Sequence, residues 1–292
     1  MAQSFSKNQL NYAQKKFYGN SYVVKKDLNF IDKVINKTLI YFFLFRFSLV
    51  NLKRSVFKKM YNFINLKNDQ KNLINFSINL NQNSIDKISN DLNQQNFSFI
   101  ENFLPEESYK YLNNTWSNIN YFKHSKKIIK KYNIGFSYTE GTSLNEIFNK
   151  SYNSQAIKQF YKFLLSNDFS KFYNQLLNFE KKNYKLWAIN SSMAANGSYL
   201  IPHIDGIANK NDMNNAFNFI YFIDGYDENH ILGGATGIYK DNDFNHPIFI
   251  PTTIKNSLLI YNQSDSFYHG FKTIECPNNI YRKTINFQVK SN

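Results

Sequence analysis

The segment Tyr199-Leu-Ile-Pro-His-Ile-Asp205 is short and mostly apolar, as a β-strand would be, and it carries a histidine and an aspartate near its end. Residues two apart on a strand face the same way, so His203 and Asp205 are expected to point to one side. An imidazole nitrogen and a carboxylate oxygen suit a divalent metal, and a second histidine would complete a two-histidine, one-carboxylate face with open positions. His-x-Asp alone is a common chance pattern, so the surrounding segments decide its meaning.

Short β-type segments alternate with turns through the last third of the chain. They are Lys185–Asn190, Tyr199–Asp205, Phe217–Ile223, Ala235–Tyr239, Ile248–Pro251, Ser257–Asn262, Phe267–Ile274 and Arg282–Val289. Eight short strands separated by turns predict a sandwich or barrel. Helices are predicted upstream, one starting at Pro105 and others over residues 144–183. Helices packed on one side of such strands make the predicted class α+β.

Further motifs follow the His-x-Asp pair in a fixed order. They are a Tyr-bearing strand (Phe217–Asp224), Gly233-Gly234-Ala-Thr, Ile248-Phe-Ile-Pro251, Tyr268-His269-Gly270 and Arg282-Lys-Thr284. In this order the motifs resemble the prolyl-hydroxylase-like branch of the iron(II)/2-oxoglutarate dioxygenase superfamily, over roughly residues 184–290. The resemblance implies a double-stranded β-helix, that is, a jelly-roll or cupin-like core.

The resemblance implies a metal centre and a reaction. His203, Asp205 and His269 match the family's iron(II) ligands, and 2-oxoglutarate and O2 are the implied cosubstrates. The implied activity hydroxylates an unactivated C–H bond and releases succinate and CO2. The sequence does not identify the substrate. The branch resemblance slightly favours a peptide or protein side chain, and a sugar or small molecule is left open.

The resemblance also implies three cosubstrate contacts. Arg282 matches the residue that pairs with the distal carboxylate of 2-oxoglutarate, and a planar guanidinium suits a carboxylate. Thr284 lies two residues on, faces the same way and matches an assisting hydroxyl. Tyr221 matches a tyrosine that reaches the same carboxylate, with a core aromatic as the alternative interpretation. Lys283 is adjacent to Arg282 but is expected to face the opposite side of the strand.

Charge divides the chain into regions. Residues 1–72 hold 14 Lys and Arg against 3 Asp and Glu, a net charge of +11 out of the formal +14 of the whole chain. We predict a basic, mostly helical region over 1–72, a polar linker over 73–96 and the dioxygenase domain over 97–292. The basic region is either a solvated Lys-rich surface or a contact for an anionic partner.

Two observations bear on localisation. The most apolar stretch, Thr38–Val50, is interrupted by Arg46 and is shorter than the roughly 20 residues of a membrane span, so a packed or an interfacial helix is expected instead. The chain has one cysteine, Cys276, which fits a reducing compartment. A cytoplasmic protein without a transmembrane span is therefore predicted.

Two alternative functions stand beside the oxygenase. One is a catalytically idle jelly-roll that uses residues 1–72 to engage an anionic partner. The other is a cupin-like metal enzyme that does not use 2-oxoglutarate. The complete set of metal ligands together with Arg282 argues against the idle module, and Arg282 with Thr284 argues against the enzyme that does not use 2-oxoglutarate.

Overall fold

The structure is a computed structural model of the 292-residue chain. It describes residues 74–116, 123–129, 134–143, 154–204, 216–224, 233–241, 243–263, 267–277 and 280–291, and seven helical residues between 45 and 56. Most of the basic region predicted over 1–72 lies outside these residues, as does Asp205. Searched over this part of the chain, no helix is long and apolar enough to cross a membrane.

From residue 74 onward, the described part of the chain contains four α-helices, all of which precede Tyr184. They are α1 (Gln82–Gln95), α2 (Glu106–Asn114), α3 (Gln155–Leu164) and α4 (Asn167–Leu176), followed by a 3-10 turn at Asn178–Glu180. The side chains of Asn81, Ser154 and Ser166 cap α1, α3 and α4 by accepting from backbone N–H groups in the first turn. The stripe predicted to pack, Ile157, Phe160, Tyr161 and Leu164, is buried on α3.

Residues 82–95 were predicted to belong to a polar linker, and they form α1 instead. Their Asn- and Gln-rich composition conceals the helical spacing of Ile85, Ile88 and Leu92. Ile88 and Leu92 are buried in the main core, and Ile85 packs against it. The helix belongs to the packed body because three apolar residues on one face are enough to dock it.

Eleven strands are described. They are β1 (Phe97–Ile100), β2 (Lys123–Ile129), β3 (Ile134–Ser143), β4 (Tyr184–Ala194), β5 (Tyr199–His203), β6 (Ala216–Asp224), β7 (Gly237–Tyr239), β8 (Pro247–Phe249), β9 (Ser257–Asn262), β10 (Tyr268–Phe271) and β11 (Arg282–Ser291). The eight strands predicted from the sequence correspond to β4 through β11. The hairpin of β2 and β3 was not predicted, although Ile134, Phe136 and Tyr138 alternate as a strand would.

Strand pairing defines two antiparallel four-stranded runs. One runs in the order β9-β6-β11-β4 and the other in the order β5-β10-β7-β8, with β3 joining β4 to β5. Successive strands from β4 to β11 are thus shared between the two runs, and residues of both runs line one cavity. This is the topology of a double-stranded β-helix, and the predicted α+β jelly-roll fold is confirmed.

The helices pack on the outer face of the first run. Odd-numbered residues of β6, from Phe217 to Ile223, join the helix-facing core together with Ile285 and Phe287 of β11. Phe219 and Phe287 stack across these strands with ring centroids 4.8 Å apart. Even-numbered residues of β6 therefore face the interior between the two runs.

We expect Phe160→Ala to lower the free energy of unfolding by about 3–5 kcal/mol, because it removes a fully buried ring from this core. Phe160 lies 5.2 Å from Phe76 and 5.5 Å from Tyr221, centroid to centroid. Urea denaturation followed by circular dichroism measures the change. Leu165→Ala at the end of the same helix is the control, since Leu165 is 53% exposed. Equal losses in the two variants would contradict the packing described.

Candidate metal and anion site

Two histidines meet where β5 and β10 pair. His203 is the last residue of β5, and it lies directly opposite His269 of β10 in the antiparallel register. Their ring centroids are 4.5 Å apart, and the side chains are only 6% and 7% exposed. Directly opposed residues on neighbouring strands project to the same face. The structure therefore brings together two of the three metal ligands expected from the sequence.

A backbone hydrogen bond orients one of these imidazoles. Nδ1 of His203 lies 2.9 Å from the carbonyl oxygen of Ile201. A carbonyl can only accept, so Nδ1 carries the proton and Nε2 carries the lone pair that a metal requires. This is the arrangement that holds a histidine ligand in one tautomer and one orientation.

The third expected ligand, Asp205, lies outside the described residues, one position beyond the last described residue of this segment. Among the residues that are described, no group of three or more His, Cys, Asp or Glu side chains is placed to hold a metal ion. The two histidines supply borderline nitrogen donors on one side of a cavity, and these two of the three expected protein donors fit iron(II).

Glycine is required next to one of the histidines. A Cβ on Gly270 would lie 2.5 Å from the carbonyl oxygen of Leu200, closer than any tolerable contact. The register between β5 and β10 shifts between His269 and Phe271, so the two backbones approach each other closely at Gly270. The His-Gly motif thus has a local reason: the glycine permits the approach that sets His269 opposite His203.

Arg282 opens β11 and enters the same cavity. It is 3% exposed, and its Nη2 donates to Oγ1 of Thr236 over 2.7 Å. The guanidinium carbon lies 4.5 Å from the ring centroid of Phe271 and 5.4 Å from that of Phe222. Its Nε atom is buried and has no hydrogen-bond partner among the residues that the structure describes.

The environment of Arg282 is unusual for a cation. Burial lowers the pKa of its guanidinium to about 9, which leaves it charged near neutral pH. Among the described residues that line the cavity, it is the single side chain with a formal charge. A buried cation without a counter-ion is costly, so this geometry favours an anion beside it.

The Gly-Gly motif shapes the space around this arginine. Gly233 and Gly234 adopt φ angles of +76° and +81°, which favour glycine. A Cβ on Gly234 would lie 3.2 Å from Cδ of Arg282. Thr236, two residues later, is the guanidinium's partner. The motif was recognised in the sequence, but Thr236 was not assigned to the site.

Thr284 lies two residues after Arg282 on β11 and pairs with Ser192, which lines the cavity. It is fully buried, and its hydroxyl shares a 2.6 Å hydrogen bond with that of Ser192 on β4. Lys283 faces away from the cavity, toward Asp224 and Asn113, as predicted.

Tyr221 is not brought to the site. It is an odd-numbered residue of β6 and packs against Phe103 and Phe160 on the helix side. Burial raises the pKa of its hydroxyl well above 10, and the protonated hydroxyl donates to Oδ1 of Asn256 over 2.9 Å. Asn256 in turn bonds both backbone groups of Leu104. The core-aromatic interpretation of Tyr221 describes this geometry, because strand alternation places it opposite the cavity.

The cavity measures about 350 Å³ and holds His203, His269 and Arg282 on its walls. Its apolar lining includes Leu200 and Phe271. Its inner sheet face is polar, with three residues that the sequence did not single out: Asn190, Asn218 and Asn286. These asparagines could have been identified from their positions on the inner face of β4, β6 and β11, but only if the orientation of each strand face had been known.

Comparison of the sequence with family models and with curated proteins finds no match. Among solved structures, the chain is similar to a 2OG-Fe(II) oxygenase family oxidoreductase from Burkholderia pseudomallei (TM-score 0.48, 8% identity, 75% of this chain and 95% of that one). It is also similar to a prolyl-4-hydroxylase from Pseudomonas putida (0.45, 10%, 71% and 99%). A third is a Trichoplax adhaerens prolyl hydroxylase, solved with a hypoxia inducible factor peptide (0.47, 16%, 70% and 88%). At these scores and identities the likeness carries nothing about activity.

We expect Gly270→Ala to lower the free energy of unfolding by about 1–3 kcal/mol, because the new methyl group overlaps the Leu200 carbonyl. Chemical denaturation measures the loss. Lys272→Ala serves as the control, since Lys272 is exposed and just beyond the same strand. If Gly270→Ala were as stable as this control, the close approach of β5 and β10 would be refuted.

Proposed function

We propose that this protein is an iron(II)- and 2-oxoglutarate-dependent oxygenase that hydroxylates an unactivated C–H bond. The observation that carries the proposal is one cavity with two opposed histidines and a buried arginine on its walls, and no acidic side chain among the described residues that line it. A divalent metal and a carboxylate are the two groups that such walls would hold. 2-Oxoglutarate is a dicarboxylate that can meet both at once.

His203 and His269 would hold the metal, with Asp205 as the third ligand by its place in the His-x-Asp motif. The Ile201 carbonyl keeps His203 in the tautomer whose Nε2 can coordinate. When bound, iron(II) with 2-oxoglutarate and O2 supplies the oxidising chemistry, and succinate and CO2 are the by-products.

Arg282 would bind the far carboxylate of 2-oxoglutarate. Its Nη2 is already oriented by Thr236, and its Nε is a buried donor that a carboxylate oxygen can satisfy. The rings of Phe271 and Phe222 cover the guanidinium and exclude water from it. In such surroundings a charge-assisted pair is stronger than it would be in water. The hydroxyl pair of Thr284 and Ser192 lies along the same sheet face.

Metal binding provides the first test. We expect His269→Ala to weaken Co(II) binding at least about 100-fold, since loss of outer-shell partners alone costs 10–100-fold. Absorption spectroscopy during an anaerobic titration measures the affinity, and Asp205→Ala should behave likewise. His246→Ala is the matched control, because His246 is exposed and pairs with Asp241 away from the cavity. Unchanged affinity in His269→Ala would remove the metal centre from the proposal.

Anion binding provides the second test. We expect Arg282→Met to melt at the same or a higher temperature than the wild type without ligand, since a buried uncompensated charge is removed. The wild type should gain about 2.7 kcal/mol of stability at 2-oxoglutarate concentrations near 100 times Kd. The variant should gain almost nothing. Thermal denaturation with and without 2-oxoglutarate measures both effects.

The neighbouring variant Lys283→Met is the control for the second test. This variant removes a cation from the opposite face of the same strand. The stability of the ligand-free variant should therefore change, but 2-oxoglutarate should still stabilise it as much as it stabilises the wild type. A full gain in Arg282→Met would contradict the assigned role. A wild type that neither binds 2-oxoglutarate nor forms succinate with iron would contradict the proposed function as a whole.

A further inference from the structure

Four large apolar side chains are exposed along one short helical segment near the start of the chain. Phe45, Leu49, Leu52 and Val56 are helical, and their side chains are 62%, 49%, 62% and 50% exposed. They are spaced by four, three and four residues. Since each helical residue turns by about 100°, these four side chains fall within an arc of about 60°. We call these four residues the apolar stripe.

Such exposure is concentrated in the apolar stripe. Of the eight large apolar side chains that are exposed among the described residues, four belong to the stripe, and the others lie at the end of α3, on β4 and in or beside β8. A single exposed leucine is ordinary, but a row of four on one helical face indicates a contact surface. The sequence left Thr38–Val50 open between a packed and an interfacial helix. The exposure of Phe45 and Leu49 does not fit the packed one.

The charge around the apolar stripe indicates the kind of partner. Between Asp32 and Asp69 the sequence contains eight lysines and arginines and no acidic residue, which gives this segment a net charge of +8. Lys53 belongs to the same helical residues as the stripe, and its side chain is exposed. A partner with a dense negative charge is therefore attracted to the segment.

Two kinds of partner would meet only one of these two features. A second copy of the chain could cover the apolar stripe, but it would bring a charge of +8 against +8, with no carboxylate in the segment to form ion pairs. A nucleic acid could meet the positive charge, but its phosphates offer no apolar surface to Leu49, Leu52 and Val56.

A membrane surface with anionic lipids meets both features. The boundary between headgroups and acyl chains accepts one apolar side of a helix that lies along the surface. The negatively charged headgroups attract the lysines and arginines that accompany it. Both attractions act on the same short segment, so each strengthens the effect of the other.

We propose that the apolar stripe and the basic residues around it bind the surface of a membrane that contains anionic lipids. The inference is independent of the proposed function, because no residue of the cavity takes part in it. Together, the two proposals place the oxygenase at a membrane surface.

The experiment uses the full chain without added metal or 2-oxoglutarate, so that its result does not depend on the cavity. Vesicle flotation measures binding to phosphatidylcholine alone and to phosphatidylcholine mixed with phosphatidylserine in about a 3:1 ratio. We expect the anionic vesicles to bind at least about tenfold more tightly than the neutral ones, and their binding to weaken as salt is raised.

The double variant Leu49→Gln with Leu52→Gln tests the apolar stripe. Glutamine has nearly the helix propensity of leucine, and both positions are exposed, so we expect the stability of the wild type. We expect this variant to bind the anionic vesicles at least about tenfold more weakly, because it removes apolar surface from the contact. Leu165→Gln is the matched control, since Leu165 is 53% exposed and lies outside the segment. It should bind like the wild type.

A second double variant, Lys53→Gln with Arg54→Gln, tests the charge and keeps the proposal testable if the leucine variant fails to fold. We expect at least about tenfold weaker binding to the anionic vesicles and no change with the neutral ones. Lys181→Gln with Lys182→Gln is the control, because it removes two adjacent, exposed cations elsewhere on the protein. This control should retain wild-type binding.

The outcomes that would overturn the proposal are distinct. One is equal binding of anionic vesicles by the wild type and the leucine variant, and another is a wild type without preference for anionic lipid. A wild type that binds no vesicle also overturns it. In that case, light scattering that finds a dimer lost in the leucine variant would assign the stripe to a second copy. Binding of single-stranded DNA that is lost in the Lys53 and Arg54 variant would assign the basic residues to a nucleic acid.

Discussion

The alternation of side chains along β6 and β11 is the constraint on which the rest of the structure depends. On one face, Phe219 and Phe287 stack and join the core beneath the helices. On the other face, Asn218, Asn286 and Arg282 line the cavity. A shift of one residue in either strand would exchange the two faces and bury polar groups among aromatic rings. The register of β6 and β11 therefore determines both how the helices pack and where the site residues lie.

Several polar groups of the site destabilise the ligand-free protein, and a ligand that paired with them would remove this cost. The guanidinium of Arg282 is buried against two aromatic rings and donates to the Thr236 hydroxyl, and one side-chain atom each of Asn218 and Asn286 is buried without a partner among the described residues. Each of these groups costs stability in the ligand-free protein. Backbone packing leaves no room for a Cβ at Gly270 beside His269, and the positive φ angle of Gly234 beside Arg282 favours glycine there. The aromatic core on the opposite sheet face offsets these costs.

Much of the fold could be predicted because local sequence patterns determine it. The stripe on α3 and the eight strands of the jelly-roll followed from spacing and turn signals. The linker prediction did not match the structure over α1, where Asn- and Gln-rich composition concealed Ile88 and Leu92. The hairpin of β2 and β3 was missed, although its second strand joins β4 to β5.

For Tyr221 the strand pattern does not reveal which face of the sheet its side chain occupies. All but the last residue of β6 are buried, so the strand lacks the polar and apolar alternation that would reveal its inner face. The tyrosine shares the helix-facing side with Phe219, and a sequence cannot distinguish that side from the other. Asn218 escaped notice for the same reason.

The sequence by itself determined the order in which the motifs come, and which residues share a strand face, as Arg282 and Thr284 do on β11. Such relations are local, because they depend only on the two-residue period of a strand. Only the tertiary structure decided that His203 lies opposite His269, that Arg282 is the single charged side chain among the described residues lining the cavity, and that Asn190, Asn218 and Asn286 line the same cavity. These relations depend on pairing and register between segments far apart in the chain, which no local period encodes.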